Sequence, residues 1–288
     1  MNAAGLLAVW DQIIEAPNAV GRLRRLILDL AMHGKLVAQD YSDEPARMLV
    51  AKLADDKAKK SKSELGRERL LPPIRKSDEI FALPHGWTWI RLGYLCQLVT
   101  SGSRDWAQHY AEDGAIFVRM GNLSKGHYRL RLDHLQRVKL PPCGEGTRTR
   151  LEGGDILISI TGDVGLLGLI PDGFGEAYIN QHTAMVRPMP AMKGRFLAEV
   201  FRSPFAQAQF NAPQRGIKNS FRLTDVTELL IPLPPLSEQR RIVAKIDELM
   251  ALCDRLETSL AAAAAAARTR LLEATLRDAL APALGQAA

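Results

Sequence analysis

The sequence of 288 residues lacks any apolar run approaching the roughly 18 residues that a membrane-spanning helix needs, and it lacks a charged-then-apolar segment at its start. We therefore expect a cytoplasmic protein with no membrane association. Cysteine is scarce: Cys96, Cys143 and Cys253 are odd in number, widely spaced and free of C-x-x-C pairing. This spacing indicates neither a disulfide framework nor a zinc site, and we interpret the three as small apolar residues in or near cores.

The marks of common catalytic sites are also missing. No GxxxxGK[ST] loop, GxGxxG helix start, HExxH or GxSxG occurs, which argues against nucleotide hydrolysis, dinucleotide use, zinc proteolysis and serine hydrolysis. Asp172 and Glu176 invite a metal-nuclease interpretation, but Tyr178 stands where such sites usually carry a lysine. We therefore predict no catalytic residue, no metal and no cofactor.

What the sequence does carry is an excess of positive charge in its middle. The net charge is +6, and residues 84–235 hold 17 Lys and Arg against 13 Asp and Glu. Residues 118–150 hold eight basic residues against two acids, and residues 201–224 hold four basic residues and no acid. A solvated face explains either window alone, but two such windows in one domain favour contact with phosphate groups.

The N-terminal part, residues 1–62, is predicted to be helical. Val20, Leu23 and Ile27 recur at helical spacing before Gly34, a natural helix end. A second helix is predicted to begin near residues 42–45, with acids in its first turn. Residues 63–83 combine lysines, prolines and polar residues, which predicts an exposed linker.

The middle part, residues 84–235, has a different pattern. Short β-branched or aromatic runs such as "AIFVRM", "DILISIT" and "HTAMVRP" alternate with glycine-rich turns such as "TGDVG" and "PDGFGE". A helical insert is expected over residues 195–210, where apolar residues return to helical spacing. The fold prediction is therefore α+β: one β-rich domain with many loops, flanked by helices.

The last part, residues 236–282, is predicted to be one long helix. Pro232, Pro234 and Pro235 stiffen the approach, and Ser237 is the expected N-cap. Apolar residues then follow spacings of four and three, which is the heptad pattern of a coiled coil. The predicted seam consists of Ile242, Ile246, Leu249, Cys253, Leu256 and Leu260. A seam needs a partner: either the N-terminal helices of the same chain or the same helix of a second chain.

Three segments resemble the specificity subunits of type I restriction-modification systems. They are "LPHGWTWIRLGYL", "GDILISITGDVGLLGLI" followed by "INQHTAMVRP", and "GIKNSFRLTDVTELLIPLPPLSEQRRIVAKIDELMALCDRLE". The resemblance implies a target recognition domain over residues 84–235 that reads a few base pairs of double-stranded DNA. It also implies a helical spacer that binds DNA methyltransferase subunits and, where one is present, a restriction or motor subunit. The implied biological role is DNA modification and host defence.

The sequence departs from that family in one respect. Family members usually hold two recognition domains and two spacers, whereas this sequence has one of each. We interpret it as a half-sized subunit that restores the two-headed arrangement by forming a homodimer through its helices. Two identical heads related by a two-fold axis predict a palindromic, bipartite target.

Loops with Arg, Lys, Asn, Gln, Ser and Thr are the expected DNA contacts, because these side chains reach phosphates and base edges. We expect about half of the candidates to touch DNA, and Asn180 and Gln181 could bond adenine in bidentate fashion. The candidates are Ser101, Ser103, Arg104, Arg119, Asn122, Ser124, Lys125, Tyr128, Arg129, Thr161, Asn180, Gln181, Arg215, Lys218, Asn219 and Ser220.

Three other interpretations remain open at this point. A fused methyltransferase or nuclease fragment would need an [ND]PP[YF] motif, and the double prolines here occur only as "LPPI", "LPPC" and "LPPL". A second alternative is a non-catalytic adaptor or decoy that pairs with a full-length specificity subunit, which the residues do not exclude. A third is the truncated product of a pseudogene, although both helical ends look intact.

Overall fold

The computed structural model describes residues 18–59, 71–104, 106–140, 146–211 and 221–284. In this part the chain forms two compact units, one of residues 18–27 with 245–284 and one of residues 28–244. No helix in the described ranges is both long and apolar enough to span a membrane. The elements confirm the predicted α+β class, with a β-rich middle and a long C-terminal helix.

Helices flank and interrupt the β-rich middle. They are α1 (Ala19–Met32), α2 (Ala46–Lys59), α3 (Phe196–Arg202), α4 (Pro204–Asn211), α5 (Leu223–Glu228) and α6 (Leu236–Leu284). Helix α1 ends as predicted, because Gly34 adopts a positive φ of 64° that a side chain would disfavour. Helix α2 begins after Pro45, so the predicted acids, Asp43 and Glu44, precede its first turn.

The strands form three sheets in the second unit. The strands are β1 (Thr88–Arg91), β2 (Cys96–Ser101), β3 (Tyr110–Ala111), β4 (Ala115–Val118), β5 (Gln136–Val138), β6 (Ile156–Ser159), β7 (Leu167–Leu169), β8 (Ala177–Ile179), β9 (Thr183–Pro188) and β10 (Leu230–Leu233). Two sheets have four strands, in the orders β2-β9-β6-β7 and β3-β5-β4-β8, and the third pairs β1 with β10. All pairs are antiparallel except β4 with β8.

The sheet residues explain where the cores lie. Every residue of β6 is buried, so this strand reads as a continuous apolar run rather than an alternating one. The apolar core around it includes Leu157, Met185 and Ile179. A second cluster is aromatic, and in it Trp106 packs against Phe117 with ring centroids 4.9 Å apart.

Two helical predictions need correction. The insert expected over residues 195–210 is two helices, because Ser203 precedes Pro204 and takes an extended conformation, φ −69° and ψ 153°, that ends α3. Helix α6 begins at Leu236, two residues before Glu238, the first helical residue that a Ser237 cap requires. The carbonyl of Pro235 accepts the first intrahelical bond, from the Gln239 N–H at 2.9 Å.

The linker expected over residues 63–83 is not exposed throughout its described part, residues 71–83. Leu71 is buried, and the carbonyl of Pro72 accepts a hydrogen bond of 2.7 Å from Arg91 Nε. Phe81 lies between His33 and Trp89, with ring centroids 4.0 and 4.9 Å away. The polar composition of residues 63–83 predicted exposure. The free energy gained by burying the apolar side chains outweighs that tendency in the described part.

The two ends of the β-rich segment meet in the β1–β10 pair, where Thr88 lies opposite Leu233. The start of α6 is held there as well. The buried carboxylate of Glu238 accepts hydrogen bonds from Trp87 Nε1 at 2.9 Å and Gln39 Nε2 at 2.6 Å. Desolvation raises the pKa of Glu238, against the lowering effect of both donors.

In the first unit, residues 19–27 of α1 lie against the part of α6 that follows Lys245. Arg24 donates to Asp254 and Glu257 at 2.7 Å each, which raises the pKa of the guanidinium. Of the predicted seam residues, Ile246 and Cys253 are buried here. The seam therefore has an intramolecular partner along its first half, one of the two possibilities that the sequence left open.

Candidate nucleic-acid interface

Strand β2 delivers the first group of predicted DNA contacts to the end of β8. The N–H of Gly102 donates to the carbonyl of Asn180 at 3.1 Å, and Ser103 forms an isolated parallel bridge with Asn180. A side chain at position 102 would collide with the Ile179 carbonyl oxygen. Glycine is thus required for the approach that sets Ser103 and the exposed Arg104 beside Asn180.

His182 connects two further candidates. Its Nδ1 lies 2.8 Å from Thr161 Oγ1, and its Nε2 lies 2.9 Å from Gln181 Nε2. The Asn180 side chain closes the same turn, because its Oδ1 accepts from the His182 N–H at 3.1 Å. Thr161 lies 19 positions before Asn180 in the sequence, yet His182 brings it next to the Asn180–Gln181 pair in space.

The turn between β6 and β7 places an acid beside a predicted lysine contact. Ser159 Oγ donates to the Asp163 carbonyl at 2.5 Å and accepts from the Leu166 N–H at 2.8 Å. Asp163 then lies 3.4 Å from Lys125 Nζ, with both side chains mostly exposed. An exposed pair of this kind contributes little to stability, so Lys125 can exchange its partner for a phosphate at low cost.

Two candidates in the loop of residues 119–131 hold the loop together. Asn122 is buried; its Oδ1 accepts from the Arg119 N–H at 3.0 Å and its Nδ2 donates to the Arg131 carbonyl at 2.9 Å. Ser124 is buried as well and donates to the Arg129 carbonyl at 2.7 Å. Burial with satisfied partners gives both side chains an architectural role.

Tyr128 is tied to helix α3. Its hydroxyl donates to Glu199 Oε1 at 2.7 Å, and Arg202 lies over its ring, 5.7 Å from the centroid. Arg202 Nε also pairs with Glu199 Oε2 at 2.9 Å. Burial and the Glu199 carboxylate raise the pKa of Tyr128, so the phenol keeps its proton and its bond. This contact joins the loop to a buried helix.

The exposed side of the same loop is positive. Lys125 and Arg129 are exposed, whereas Arg119 is half-buried. Desolvation lowers the pKa of His127, and the guanidinium groups of Arg129 and Arg202 lower it further. The positive charges that disfavour protonation of His127 also create a positive surface potential. Such a potential attracts phosphate groups.

Several predicted residues are not brought into these clusters. Arg215, Lys218, Asn219 and Ser220 lie outside the described residues, as does Cys143. Ser101 closes β2 and is half-buried, one residue before the Gly102 approach. No group of three or more His, Cys, Asp or Glu in the described part could hold a metal ion.

Three residues that connect the site, His182, Asp163 and Glu199, are not among the contacts that the sequence predicts. The signal available for His182 was its position in the sequence, directly after the predicted contacts Asn180 and Gln181. Glu199 gave none, because its partner Tyr128 is 71 positions away.

Along α6 the predicted partner interface changes character. Ile242, Ile246 and Cys253 are buried, Leu249 and Leu256 are half-buried, and Leu260 is 46% exposed. Leu271 is 69% exposed. It lies 18 residues beyond Cys253, which is five turns of an α-helix, and therefore on the same face. The apolar stripe thus continues past its intramolecular cover.

Comparison with known proteins gives one family. The family described as the type I restriction modification DNA specificity domain matches residues 84–264. The specificity subunit of the type I restriction enzyme EcoAI of Escherichia coli is 28% identical, over 87% of this chain and 45% of the relative. That of EcoEI, also from Escherichia coli, is 29% identical, over 86% of this chain and 44% of the relative.

A solved structure supports the fold. A chain from a structure on complex assembly and conformational transition of the type I R-M system aligns with a TM-score of 0.50 and 21% identity. The alignment covers 90% of this chain and 53% of that chain. The chain therefore spans about half the length of the relatives that it matches.

Proposed function

The chain belongs to the type I restriction modification DNA specificity family, and from this membership we propose that it selects one half of a bipartite target on double-stranded DNA. The observation that carries the proposal is the convergence of Ser103, Thr161 and Gln181 around the Asn180–His182 turn. Polar side chains held by strands can present fixed hydrogen-bonding groups to base edges, which is the requirement for direct readout.

We divide the candidates by the contacts that they make in the structure. Gln181, Thr161, Asn180 and Ser103 are the proposed base-reading group. The exposed cations Arg104, Lys125 and Arg129 are the proposed phosphate contacts, together with the half-buried Arg119. Asn122 and Ser124 leave the contact set because they are buried and bond to the backbone, and Tyr128 leaves it because its hydroxyl donates to the buried Glu199. Ser101 and the four residues between 215 and 220 stay predictions.

We propose that the protein performs no catalysis itself and instead positions partner enzymes. The relatives are named specificity subunits, and a subunit that determines where a complex acts needs no reactive residue of its own. The proposed partners are DNA methyltransferase subunits, recruited through the helical segments, and a restriction or motor subunit where the system has one. No cofactor is assigned.

We propose further that two copies associate through the distal half of α6. The support is the stripe that includes Leu260 and Leu271, which is exposed where the seam runs beyond its intramolecular cover. A two-fold pair of identical chains would match the length of the relatives and would read a palindromic bipartite target. Pairing with a full-length specificity subunit is the alternative that the same stripe allows.

A selection experiment tests the proposal. The purified chain, with its cognate methyltransferase subunit, is incubated with a pool of random duplexes, and the bound fraction is sequenced. We expect enrichment of two short inverted motifs separated by a fixed unread gap. Absence of any enriched sequence would contradict the reading function, and methylation or cleavage by the chain alone would contradict its non-catalytic role. A single enriched half-site would contradict the homodimer only.

A further inference from the structure

We propose that His182 is a positioning residue that fixes the amide orientation of Gln181 and so determines which base the protein accepts at one position. The proposal rests on the proposed function, because it assigns a role within the base-reading group. It concerns a residue that makes its contacts inside the protein.

Hydrogen-bonding partners hold both the backbone and the ring of His182. Its backbone is fixed by two hydrogen bonds: its N–H donates to Asn180 Oδ1 at 3.1 Å, and its carbonyl accepts from the Ile160 N–H at 3.0 Å. Its two ring nitrogens face Thr161 Oγ1 at 2.8 Å and Gln181 Nε2 at 2.9 Å. A ring anchored in this way cannot turn to follow a neighbouring side chain.

The hydrogen-bond directions follow from the atoms that meet. The amide nitrogen of Gln181 can only donate, so Nε2 of His182 accepts. A neutral ring that accepts at Nε2 carries its proton on Nδ1, which donates to Thr161 Oγ1. The threonine hydroxyl, the imidazole and the amide thus form one chain of bonds, in which the His182 tautomer and the orientation of the Gln181 amide are coupled.

This chain has a consequence for base reading. Gln181 offers one oxygen and two N–H groups, and His182 engages one N–H, which leaves the oxygen and the other N–H. Adenine presents in the major groove a donor, N6–H, beside an acceptor, N7, and this pair matches an amide oxygen and N–H in a fixed order. An amide without His182 can turn over and exchange the two, which would weaken discrimination at that base pair.

Two substitutions separate the two halves of the network. In His182→Asn the amide can replace Nδ1 and bond Thr161, but nothing reaches Gln181. In His182→Gln the longer amide can place its oxygen at the position of Nε2 and accept from Gln181. We expect H182N to lose roughly 10- to 100-fold of discrimination against single-base substitutions at one position of the selected half-site, as loss of one bidentate contact would. H182Q should retain most of it.

The measurement is the ratio of dissociation constants for the selected duplex and its single-base variants, with the methyltransferase subunit present. Dependence of binding on salt should stay unchanged in both variants, because no phosphate contact is removed. Gln181→Ala should lose the same discrimination, and Q181A combined with H182N should lose no more than Q181A alone. Melting temperatures of the variants identify any loss that comes from unfolding.

The outcomes separate the two proposals. If the wild-type protein shows no base preference, the proposed function fails and this inference fails with it. If the wild type is selective and H182N is equally selective, only the positioning role is wrong. Equal losses in H182N and H182Q, or a further loss in the double variant, would likewise overturn it, since either result indicates a general packing role.

Discussion

At the residue scale, the chain separates polar groups that hold the fold from polar groups that remain available at its surface. Asp155 and Arg187 are the strongest case of the first kind. Arg187 donates to Asp155 Oδ1 at 2.9 Å and Oδ2 at 2.7 Å, and it reaches Glu152 at 2.8 Å. Asp155 is buried, so its negative charge is stabilised by the bidentate bond to Arg187. Glu152, in contrast, is largely exposed.

Arg187→Met should therefore destabilise the protein by about 3–5 kcal/mol, because it leaves the Asp155 charge buried without its partner. Urea unfolding followed by circular dichroism measures the change. Glu152→Gln is the matched control and should cost less than about 1 kcal/mol, since that half of the network is exposed to solvent. Adding Asp155→Asn to R187M should recover part of the loss. Equal effects of R187M and E152Q would show that burial is not the cause.

Lys125 represents the second kind of polar group. Lys125→Ala should weaken DNA binding by a similar factor for all sequences and lower the slope of log affinity against log salt by about one, as loss of a single phosphate contact does. Asp163→Asn should have the opposite effect on non-specific binding, because Asp163 pairs with Lys125. Fluorescence anisotropy over a salt series measures both changes.

The control for these variants is Lys76→Ala, which removes an exposed lysine that pairs with Glu79 at 2.7 Å. It should leave the salt slope unchanged. A change in sequence preference in K125A would assign Lys125 to base contact instead, and no change in affinity would exclude this loop from the interface.

At the element scale, the start of α6 depends on one buried acid. Glu238 accepts from Trp87 and Gln39, which lie far from it in the sequence. The sequence predicted this helix and its approach through prolines, because heptad spacing and proline geometry are local signals. It did not show that the first turn would bury a carboxylate, since the two donors come from distant segments.

Glu238 should make stability dependent on pH. Its pKa is raised, mainly by burial, from a usual value of 4.5, so the folded protein holds this proton more tightly than the unfolded chain does. Its contribution to stability is therefore largest below pH 4.5 and falls as the pH rises through the folded-state pKa. Glu238→Gln should flatten this part of the profile of unfolding free energy, measured by urea titration between about pH 4 and 7.

The control is Glu248→Gln, an exposed acid of the same helix that pairs with Lys245. This variant should leave unchanged the difference in unfolding free energy between about pH 4 and pH 7. If E238Q and wild type keep parallel profiles, Glu238 is not the group that causes the dependence.

At the scale of the whole molecule, the chain covers about half the length of its relatives and leaves an apolar stripe exposed on α6. Leu260→Glu with Leu271→Glu should reduce self-association of the full chain, because both charges would enter the proposed helix contact. Size-exclusion chromatography with light scattering measures the mass. The double variant should keep its melting temperature, since neither leucine is buried within one chain.

Leu272→Glu with Leu276→Glu is the matched control, since these leucines are also exposed but lie off the Cys253–Leu271 face. It should leave the mass unchanged. A monomeric wild type would remove the homodimer from the proposal, and dissociation by both pairs of substitutions would place the contact on another face of α6.

The sequence by itself determined the α+β class, the helical rod and the family, because these follow from periodicity, turn residues and motifs that are read locally. It could not determine which polar side chains would remain available to a ligand. Asn122 and Lys125 lie three positions apart in one basic loop, yet one is buried in backbone hydrogen bonds and the other is exposed. That division was decided only by the tertiary structure, because the hydrogen bonds that bury Asn122 form only when the loop of residues 119–131 folds back on itself.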